Sequence, residues 1–584
     1  MWPKIVAQSA SLDSLQSVIS LNQEVRAAAL KATQQAFPGV DLPRLDVGVP
    51  KLEHGDYDVA VFSFVKPLRL KPAEIVDQLK KELQKDEQFL ARFDIQTSGG
   101  HINFRVRDSV ILENVQRIRP EFGRNSTLAG KRVLVEFVSA NPTGPLHIGH
   151  GRWAVLGDSI CRLLEACGAI VTREFYINDA GAQIARFRDS VDAVRKGRLV
   201  PEGGYQGEYI ADLAKSSDDP VQAMIEHHRR TLESMGVKFD VWFSEKTLHD
   251  GGLVDQAVRD LEAAGFTYRA VARPQDEEDE PNPQSGGAGG EAVWFKTTDP
   301  RFYALKDERG RVLFALDDKD RVLVRADGRP TYLAADVAYH ADKVRRGYDL
   351  LINIFGADHH GYVARISAAI QAASDEKQNH EILVGQLVKL TRGGKEARMS
   401  KRKGTVVFLH DLMEEIGADA VRIFMGRTSF NQGLTIDLEL ALKQSKDNPV
   451  FYFQYAHARI SQLLVQATKR GMTVAAALPS NYELNPEERA LLVYLLRFPD
   501  LVEAAARRRD VSRVQEYTAK LAALFHRFYY EHRVVDTTNP ELSGVRLLFA
   551  VKTQQVLKNV LTLLGVSAPD KMERLPEPEN PEAV

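Results

Sequence analysis

The chain has 584 residues, enough for about three to five domains, and its 44% apolar and 27% charged residues are typical of a globular protein. The net charge of -2 provides no overall field for a polyanion, although a local basic stripe would suffice to bind nucleic acid. Two cysteines, Cys161 and Cys167, exclude a disulfide scaffold and a four-cysteine zinc site.

No run of about 18 apolar residues predicts a membrane span. The first 17 residues lack the apolar core of a signal peptide. We therefore expect a cytoplasmic protein without a membrane partner.

Residues 1–125 predict a small α+β domain. Apolar residues recur with helical spacing over Leu15–Phe37, and a second helical run extends from Pro72 to Leu83. Alternating apolar and polar residues predict strands at Tyr57–Phe64 and His101–Arg107.

Residues 126–445 predict a Rossmann-like α/β catalytic domain with a parallel sheet. The strand Val133–Val138 leads through a turn-rich loop into the helix Ile148–Cys167 and a further strand. The same alternation returns at Asp349–Phe355, followed by a helix at Val363–Ala373 and a strand at Ile382–Val388. An acidic insertion rich in glycine and proline, Arg273–Glu291, predicts a surface loop with no derivable function.

The last part of the chain predicts an all-α bundle at 446–568 and a disordered tail at 569–584. Its helical runs are Phe451–Gln466, Pro486–Ala506, Val511–Phe528 and Gly544–Leu564.

The strongest chemical motif is His147-Ile148-Gly149-His150, after a predicted strand and at the first turn of a helix. The unpaired N–H groups and positive dipole of a helix start suit phosphate, and glycine allows close approach. The alternative is that both histidines merely cap or pack the helix.

A second motif, Arg398–Gly404, contains Ser400 and Lys401 and has glycines on both sides. Such a loop can close over a ligand and present an ammonium and a hydroxyl to a polyphosphate. A solvated basic loop is the alternative, and pairing with the first motif across a parallel sheet favours the functional interpretation.

These motifs resemble the HIGH and KMSKS signatures of class I aminoacyl-tRNA synthetases, with arginine at the first and last positions of the second. The blocks VEFVSANPTGPLHIGHGRW, DGRPTYLAADVAYH, GADHHGYVARI and ADAVRIFMGRTS resemble, more narrowly, bacterial-type arginyl-tRNA synthetases. The resemblance covers essentially the whole chain. It implies an arginine–tRNA ligase that forms arginyl-adenylate from ATP and L-arginine, releases pyrophosphate, and transfers arginine to the 3′-terminal ribose of tRNA(Arg).

The resemblance also implies site residues. It assigns catalysis to His147, His150 and Lys401, with Mg²⁺ accompanying ATP and no metal ligand on the chain. It assigns ATP binding to these residues and to Gly149, Asp358, His359, Met399 and Ser400.

Arginine needs carboxylates in planar, forked contact with its guanidinium. Glu136 ends the first strand of the sheet, and Tyr332 and Asp336 share one face of a predicted helix. The resemblance places these three residues, with Ser139 and Asn141, in the arginine site. Without the resemblance, Asp336 would be an ordinary surface charge.

The N-terminal domain resembles the domain with which arginyl enzymes grip the outer corner of tRNA, and Asn103 matches a contact residue. The C-terminal bundle resembles the anticodon-binding domain of the family. Flat or cationic side chains there suit unstacked bases, namely Tyr455, His457, Arg459, Tyr530 and Arg533.

Two alternatives remain at this point. One is a small-molecule nucleotidyltransferase, which the helical C-terminal part argues against. The other is a catalytically inactive tRNA-binding paralogue, which the intact His147, His150, Ser400 and Lys401 argue against. The resemblance favours a monomer.

Overall fold

The computed structural model describes residues 20–43, 45–51, 53–272, 290–307, 310–374, 377–397, 407–479 and 482–572, with the side chains of 358–360 left out. The second motif, most of the acidic insertion and residues 573–584 therefore lie outside the described residues. Within those ranges, no helix is long and apolar enough to cross a membrane.

The N-terminal unit is an antiparallel sheet with helices on one face. Its elements are α1 (Leu21–Ala36), β1 (Val47–Gly48), β2 (Tyr57–Ala60), α2 (Val65–Leu68), α3 (Pro72–Leu83), α4 (Glu87–Leu90), β3 (Phe93–Ser98), β4 (His101–Val106) and α5 (Asp108–Gln116). The strand order is β1-β2-β4-β3. Ile102, Phe104 and Val106 alternate along β4 and are all buried, because every second side chain faces the helices.

The middle unit contains a parallel sheet and smaller antiparallel additions. Its elements are β5 (Arg132–Glu136), α6 (Ile148–Ala166), β6 (Ile170–Ile177), α7 (Ala182–Arg195), α8 (Glu208–Ala214), α9 (Pro220–Ser234), β7 (Val241–Ser244), α10 (Lys246–Asp250), α11 (Leu253–Ala263), β8 (Thr267–Val271), β9 (Glu291–Phe295), β10 (Leu305–Lys306), β11 (Val312–Phe314), β12 (Arg321–Val324), α12 (Tyr332–Arg345), β13 (Leu350–Gly356), α13 (Val363–Ala372), β14 (His380–Gly385), β15 (Val388–Arg392), β16 (Lys395–Glu396), α14 (Leu409–Ile416), α15 (Ala418–Met425), β17 (Leu434–Asp437) and α16 (Leu438–Leu442).

Among the described residues, the parallel sheet has the strand order β14-β13-β5-β6-β7. Val133, Leu134 and Val135 of β5 are buried on both faces, as expected for a central parallel strand. Strands β6 and β13 lie on opposite sides of β5. The direction of the strand order therefore changes at β5, and a crevice opens at its carboxyl end, where open α/β sheets bind ligands.

The C-terminal unit is helical, with α17 (Pro449–Lys469), α18 (Pro486–Leu496), α19 (Phe498–Arg508), α20 (Ser512–Glu531) and α21 (Pro540–Leu564). The run predicted as one helix at Pro486–Ala506 divides before Phe498, because Pro499 cannot donate a backbone hydrogen bond. Pro569 and Asp570 accept hydrogen bonds from His457 and Ser461, so the chain remains packed beyond 568.

Two other predicted elements differ from the structure. The alternating segment Tyr57–Phe64 forms a strand only to Ala60 and then a 3₁₀ turn at Phe62–Phe64. The first helix begins at Leu21, where Ser20 caps the Gln23 amide. Residues 15–19 of that prediction lie outside the described ranges.

The N-terminal unit packs directly on the C-terminal helices. Arg489 of α18 donates to both carboxylate oxygens of Asp56, at 3.1 and 2.7 Å, and to Asp108 at 3.1 Å. Arg497 donates to the carbonyl oxygen of Asp56 at 2.9 Å. The two ends of the chain thus form one packed body.

Asp500 makes this junction sensitive to pH. One of its carboxylate oxygens accepts a hydrogen bond from Ser20, while the other is shielded from solvent with no donor among the described residues. Burial raises the pKa of Asp500 to about 7, partly opposed by Ser20 and by the positive charges of Arg26 and Arg497. The folded state therefore binds this proton more tightly than the unfolded chain, and stability falls as pH rises from about 4 to about 7.

We expect Asp500→Asn to remove this pH-dependent loss of stability. The Tm of the variant should increasingly exceed that of the unmodified protein as pH rises from about 5 to about 8. The reason is that residue 500 becomes charged only in the unmodified protein. Thermal unfolding followed by circular dichroism across this range measures the difference. A difference that stays constant with pH would contradict the expectation.

Candidate active site

The start of α6 is held by a reciprocal pair of histidines. His147 Nδ1 accepts a hydrogen bond from the Gly149 N–H at 3.1 Å, and His150 Nδ1 accepts one from the His147 N–H at 3.3 Å. The two rings stack with centroids 3.6 Å apart. Because both Nδ1 atoms are acceptors, the Nε2 atoms of the neutral rings carry the protons and serve as donors.

The electrostatics keep His150 neutral. Burial, followed by the neighbouring His147 and His228, holds the pKa of His150 well below its usual range. Burial also lowers the pKa of His228, to about 4, while its ring donates to the Gly144 carbonyl oxygen at 2.8 Å. A neutral ring can donate to a phosphate oxygen without the cost of burying a charge.

The segment that follows the second motif is hydrogen-bonded to this helix start. The Ile148 N–H donates to the Val407 carbonyl oxygen at 3.1 Å, and the Leu409 N–H donates to the Leu146 carbonyl oxygen at 2.7 Å. Phe408 forms a β-bridge with His147. Met399, Ser400 and Lys401 lie outside the described residues, which resume at Val407.

Helix α6 is fixed in the protein by Arg152, which is fully buried. Its guanidinium donates to the carbonyl oxygens of Gln386, Ser429 and Gln432 at 2.8–2.9 Å. The indole of Trp153 lies against Gly385, where a Cβ atom would come within 1.7 Å of the ring. The helix start is therefore positioned by rigid contacts with the ends of β14 and its neighbours.

The carboxyl end of β5 carries a strained turn. Val138 and Ser139 have φ angles of 72° and 43°, which non-glycine residues rarely adopt. The turn directs the Ser139 hydroxyl to Glu136 Oε1 at 2.8 Å, and the same hydroxyl accepts from the Tyr176 N–H at 3.2 Å. Lys343 donates to Glu136 Oε2, so both oxygens of this buried carboxylate are held.

The hydroxyl of Tyr176 on β6 lies in an acidic environment. Burial raises the pKa of Tyr176, and the nearby charges of Glu245, Asp336 and Glu136 raise it further. The hydroxyl donates to Glu245 Oε2 at 2.8 Å. Sequence reasoning missed Glu245 and Tyr176, although Glu245 directly follows β7 at the ligand-binding edge of the sheet.

Tyr332 and Asp336 begin α12 one turn apart, as the sequence predicts. The Tyr332 ring is 41% exposed and lies by Gly181, whose added Cβ would be 3.6 Å from the tyrosine oxygen. Asn141 is exposed and donates to Gln183 Oε1 at 2.9 Å. Asp358 and His359 fall in a 3₁₀ turn, Ala357–Tyr362, directly after β13, and their side chains lie outside the description.

Two of the three predicted tRNA-contacting residues of α17 are buried. Tyr455 is buried against Phe451, and His457 is buried with its Nδ1 donating to the Pro569 carbonyl oxygen at 3.0 Å. Both rings lie on the core side of the helix, and base contacts for them stay a prediction. Arg459 covers the Tyr529 ring at 4.3 Å.

The other predicted contact residues differ in exposure. Tyr530 is 67% exposed, and the Arg533 side chain is 76% exposed with Asp536 at 4.0 Å. Asn103 is buried, and it points to the face of the N-terminal sheet opposite Ile102 and Phe104.

Family models match three parts of the chain. The description "Arginyl tRNA synthetase N terminal domain" covers residues 20–106, and "tRNA synthetases class I (R), catalytic domain" covers 115–196. "DALR anticodon binding domain" covers 453–572. Each matched segment falls in the part of the chain for which the resemblance implied that role.

Curated relatives match over nearly the full length. An arginine–tRNA ligase of Frankia alni is 41% identical over 89% of this chain and 93% of the relative, and that of Bacillus subtilis is 37% identical over 94% and 98%. The fold matches the Thermus thermophilus arginyl-tRNA synthetase with a TM-score of 0.69 at 24% identity, covering 94% of this chain and 100% of that one. The chain therefore belongs to the arginyl-tRNA synthetases, the ATP-dependent class I enzymes that attach arginine to tRNA.

Proposed function

We propose that the start of α6 and the Lys401 segment bind one ATP molecule and drive its reaction with arginine. The carboxylate oxygen of arginine attacks the α-phosphorus, and the bond to the bridging oxygen of pyrophosphate breaks. Positioning and charge stabilisation suffice, because no covalent bond to the protein is needed. The paired imidazoles beside the hydrogen-bonded Val407–Leu409 flank support this assignment most directly.

Within this proposal, each group has a distinct task. The Nε2 atoms of His147 and His150 donate to phosphate oxygens, and Gly149 leaves room for the nucleotide. Lys401 neutralises charge that develops on the leaving pyrophosphate, while Met399 and Ser400 border the nucleotide. Asp358 and His359 line the adenosine side.

The arginine site is proposed at the carboxyl ends of β5 and β6. Glu136 and Asp336 accept the guanidinium N–H groups, and the Tyr332 ring forms one wall. Ser139 holds Glu136, and Asn141 binds the α-amino end of the substrate. The group of carboxylates around Tyr176 supports an acidic site of this kind.

Two surfaces are proposed for tRNA. We propose that Asn103 contacts tRNA on the outer face of the N-terminal sheet. On the helical bundle, the proposed contact residues are Arg459, Tyr530 and Arg533. We retain domain boundaries at 1–125, 126–445 and 446–568, with the chain packed to Met572. An anticodon-binding family match over 453–572 supports the second surface.

The setting of the enzyme is also a proposal. We propose a cytoplasmic monomer that receives Mg²⁺ with ATP. Within the described ranges, no three histidine, cysteine, aspartate or glutamate side chains are grouped to hold a metal. We propose that phosphate oxygens and water hold Mg²⁺, and no step is routed through it.

Pyrophosphate exchange tests the activity. Purified protein with arginine, ATP and labelled pyrophosphate should form labelled ATP, and the family resemblance predicts that this exchange requires tRNA(Arg). An inactive paralogue would give no exchange under any condition, and a small-molecule nucleotidyltransferase would not respond to tRNA. Exchange with lysine but not with arginine would overturn the arginine site.

A further inference from the structure

Two glutamates stand side by side in the parallel sheet. Glu136 on β5 and Glu174 on β6 are register partners, and both are buried. Each is compensated by a cation from α12, Lys343 at Glu136 and Arg346 at Glu174. A buried carboxylate requires such a partner, because an isolated charge is costly away from water.

The ion pair between Glu174 on β6 and Arg346 leaves no acceptor site free on Glu174 Oε1. Arg346 donates to both oxygens of Glu174, at 2.5 and 2.9 Å, and the Tyr339 hydroxyl donates to Oε1 at 2.7 Å. Glu174 Oε1 thus has both of its lone-pair sites in use. This ion pair has a structural role between the sheet and α12.

The ion pair between Glu136 on β5 and Lys343 differs, because among the described residues both Glu136 oxygens keep an acceptor site. Glu136 Oε2 accepts from Lys343 and Oε1 accepts from the Ser139 hydroxyl at 2.8 Å. Each oxygen therefore keeps one lone-pair site, and two free sites on one carboxylate match the two parallel N–H groups of a guanidinium. Glu136 also lies at the ligand-binding end of its strand, next to the strained turn at Val138.

Lys343 is itself held in one position. Its side chain is 0% exposed, and its ammonium donates to Asn353 Oδ1 at 2.6 Å. The same ammonium lies 4.2 Å from the centre of the Tyr339 ring. A buried ammonium with one carboxylate, one amide and one aromatic face cannot reach solvent, so it acts on Glu136 whether or not substrate is present.

We propose that Lys343 is a positioning residue of the arginine site. It holds the Glu136 carboxylate in one orientation, so that the carboxylate is already placed to accept the guanidinium. The inference depends on the proposed function of Glu136 as an arginine ligand. Lys343 does not touch the substrate, and its effect passes through Glu136 alone.

The test compares Lys343→Met with Arg346→Met, which breaks the neighbouring structural pair on the same helix. Arginine KM is measured by tRNA-dependent exchange. Without the ammonium, the Glu136 carboxylate is no longer held in position, so the arginine KM should rise about tenfold or more. Lys343→Met should leave the KM for ATP within about twofold.

Arg346→Met is the matched control, because it removes the cation paired with Glu174 and leaves the Lys343–Glu136 pair in place. This variant should have a lower Tm and the arginine KM of the unmodified enzyme.

A double variant completes the cycle and covers the case in which Lys343→Met does not fold. Glu136→Gln with Lys343→Met removes both charges, and its arginine KM should equal that of Glu136→Gln alone. A further rise in the double variant would overturn the inference, as would Lys343→Met with an unchanged arginine KM. If Glu136→Gln itself leaves the KM unchanged, the proposed role of Glu136 fails and the inference fails with it.

Discussion

Replacing Lys401 by alanine should lower kcat for tRNA-dependent exchange by about 100- to 1000-fold. The arginine KM should change by less than about threefold, because the ammonium interacts mainly with charge that develops as pyrophosphate leaves. The described segment after the second motif is hydrogen-bonded through Val407 and Leu409 to the residues beside His147. Steady-state kinetics with arginine and ATP varied in turn measure both parameters.

Lys389→Ala is the matched control, since Lys389 is an exposed lysine on β15, ahead of the second motif. Its kinetics should equal those of the unmodified enzyme. An unchanged kcat for Lys401→Ala, or an equal loss in both variants, would remove Lys401 from the transition state.

Asp336→Asn should raise the arginine KM by about 30- to 100-fold, which corresponds to the roughly 2–3 kcal/mol expected for a buried charged hydrogen bond. The amide keeps the size of the carboxylate and removes the charge that a guanidinium requires. The KM for ATP should stay within about twofold, because the nucleotide binds at the start of α6.

Asp342→Asn serves as the control on the same helix. Asp342 pairs with Arg346 and Arg345, outside the carboxylate group around Tyr176. If Asp336→Asn binds arginine as the unmodified enzyme does, Asp336 does not belong to the arginine site.

The periodicity of apolar residues and the positions of turn residues predict most of the central fold. The buried run of β5, the loop before His147 and the helix to Ala166 appear within about two residues of their predicted bounds. Apolar periodicity fails at Phe498, where the chain turns from α18 to α19 next to Pro499. An apolar run with helical spacing does not reveal that a proline will end one helix and begin the next.

Site residues that belong to a sequence motif can be predicted. Site residues that come together only through the packing of the sheet cannot. The two histidines of α6 are adjacent in sequence, so their pairing follows from helix geometry. Glu245 and Lys343 come near Glu136 only because β6, β7 and α12 are neighbours in space. No local signal separates a buried Lys343 from the exposed lysines of the chain.

The predicted tRNA contacts also differ in burial, which their residue types do not reveal. Tyr455 and Tyr530 are equally suited to stacking by residue type, yet one is in the core of α17 and the other is exposed at the end of α20. Residue type alone does not establish which side of a bundle helix faces inward, because aromatic residues occur both in the core and at the surface.

The central claim is that the start of α6 and Lys401 act on the same triphosphate. A crystal structure of the enzyme with arginine and a non-hydrolysable ATP analogue tests it directly. We expect phosphate oxygens within hydrogen-bonding distance of both a histidine Nε2 of His147 or His150 and the Lys401 ammonium. A triphosphate bound away from the helix start, or a Lys401 ammonium more than about 10 Å from it, beyond one Debye length, would contradict the account.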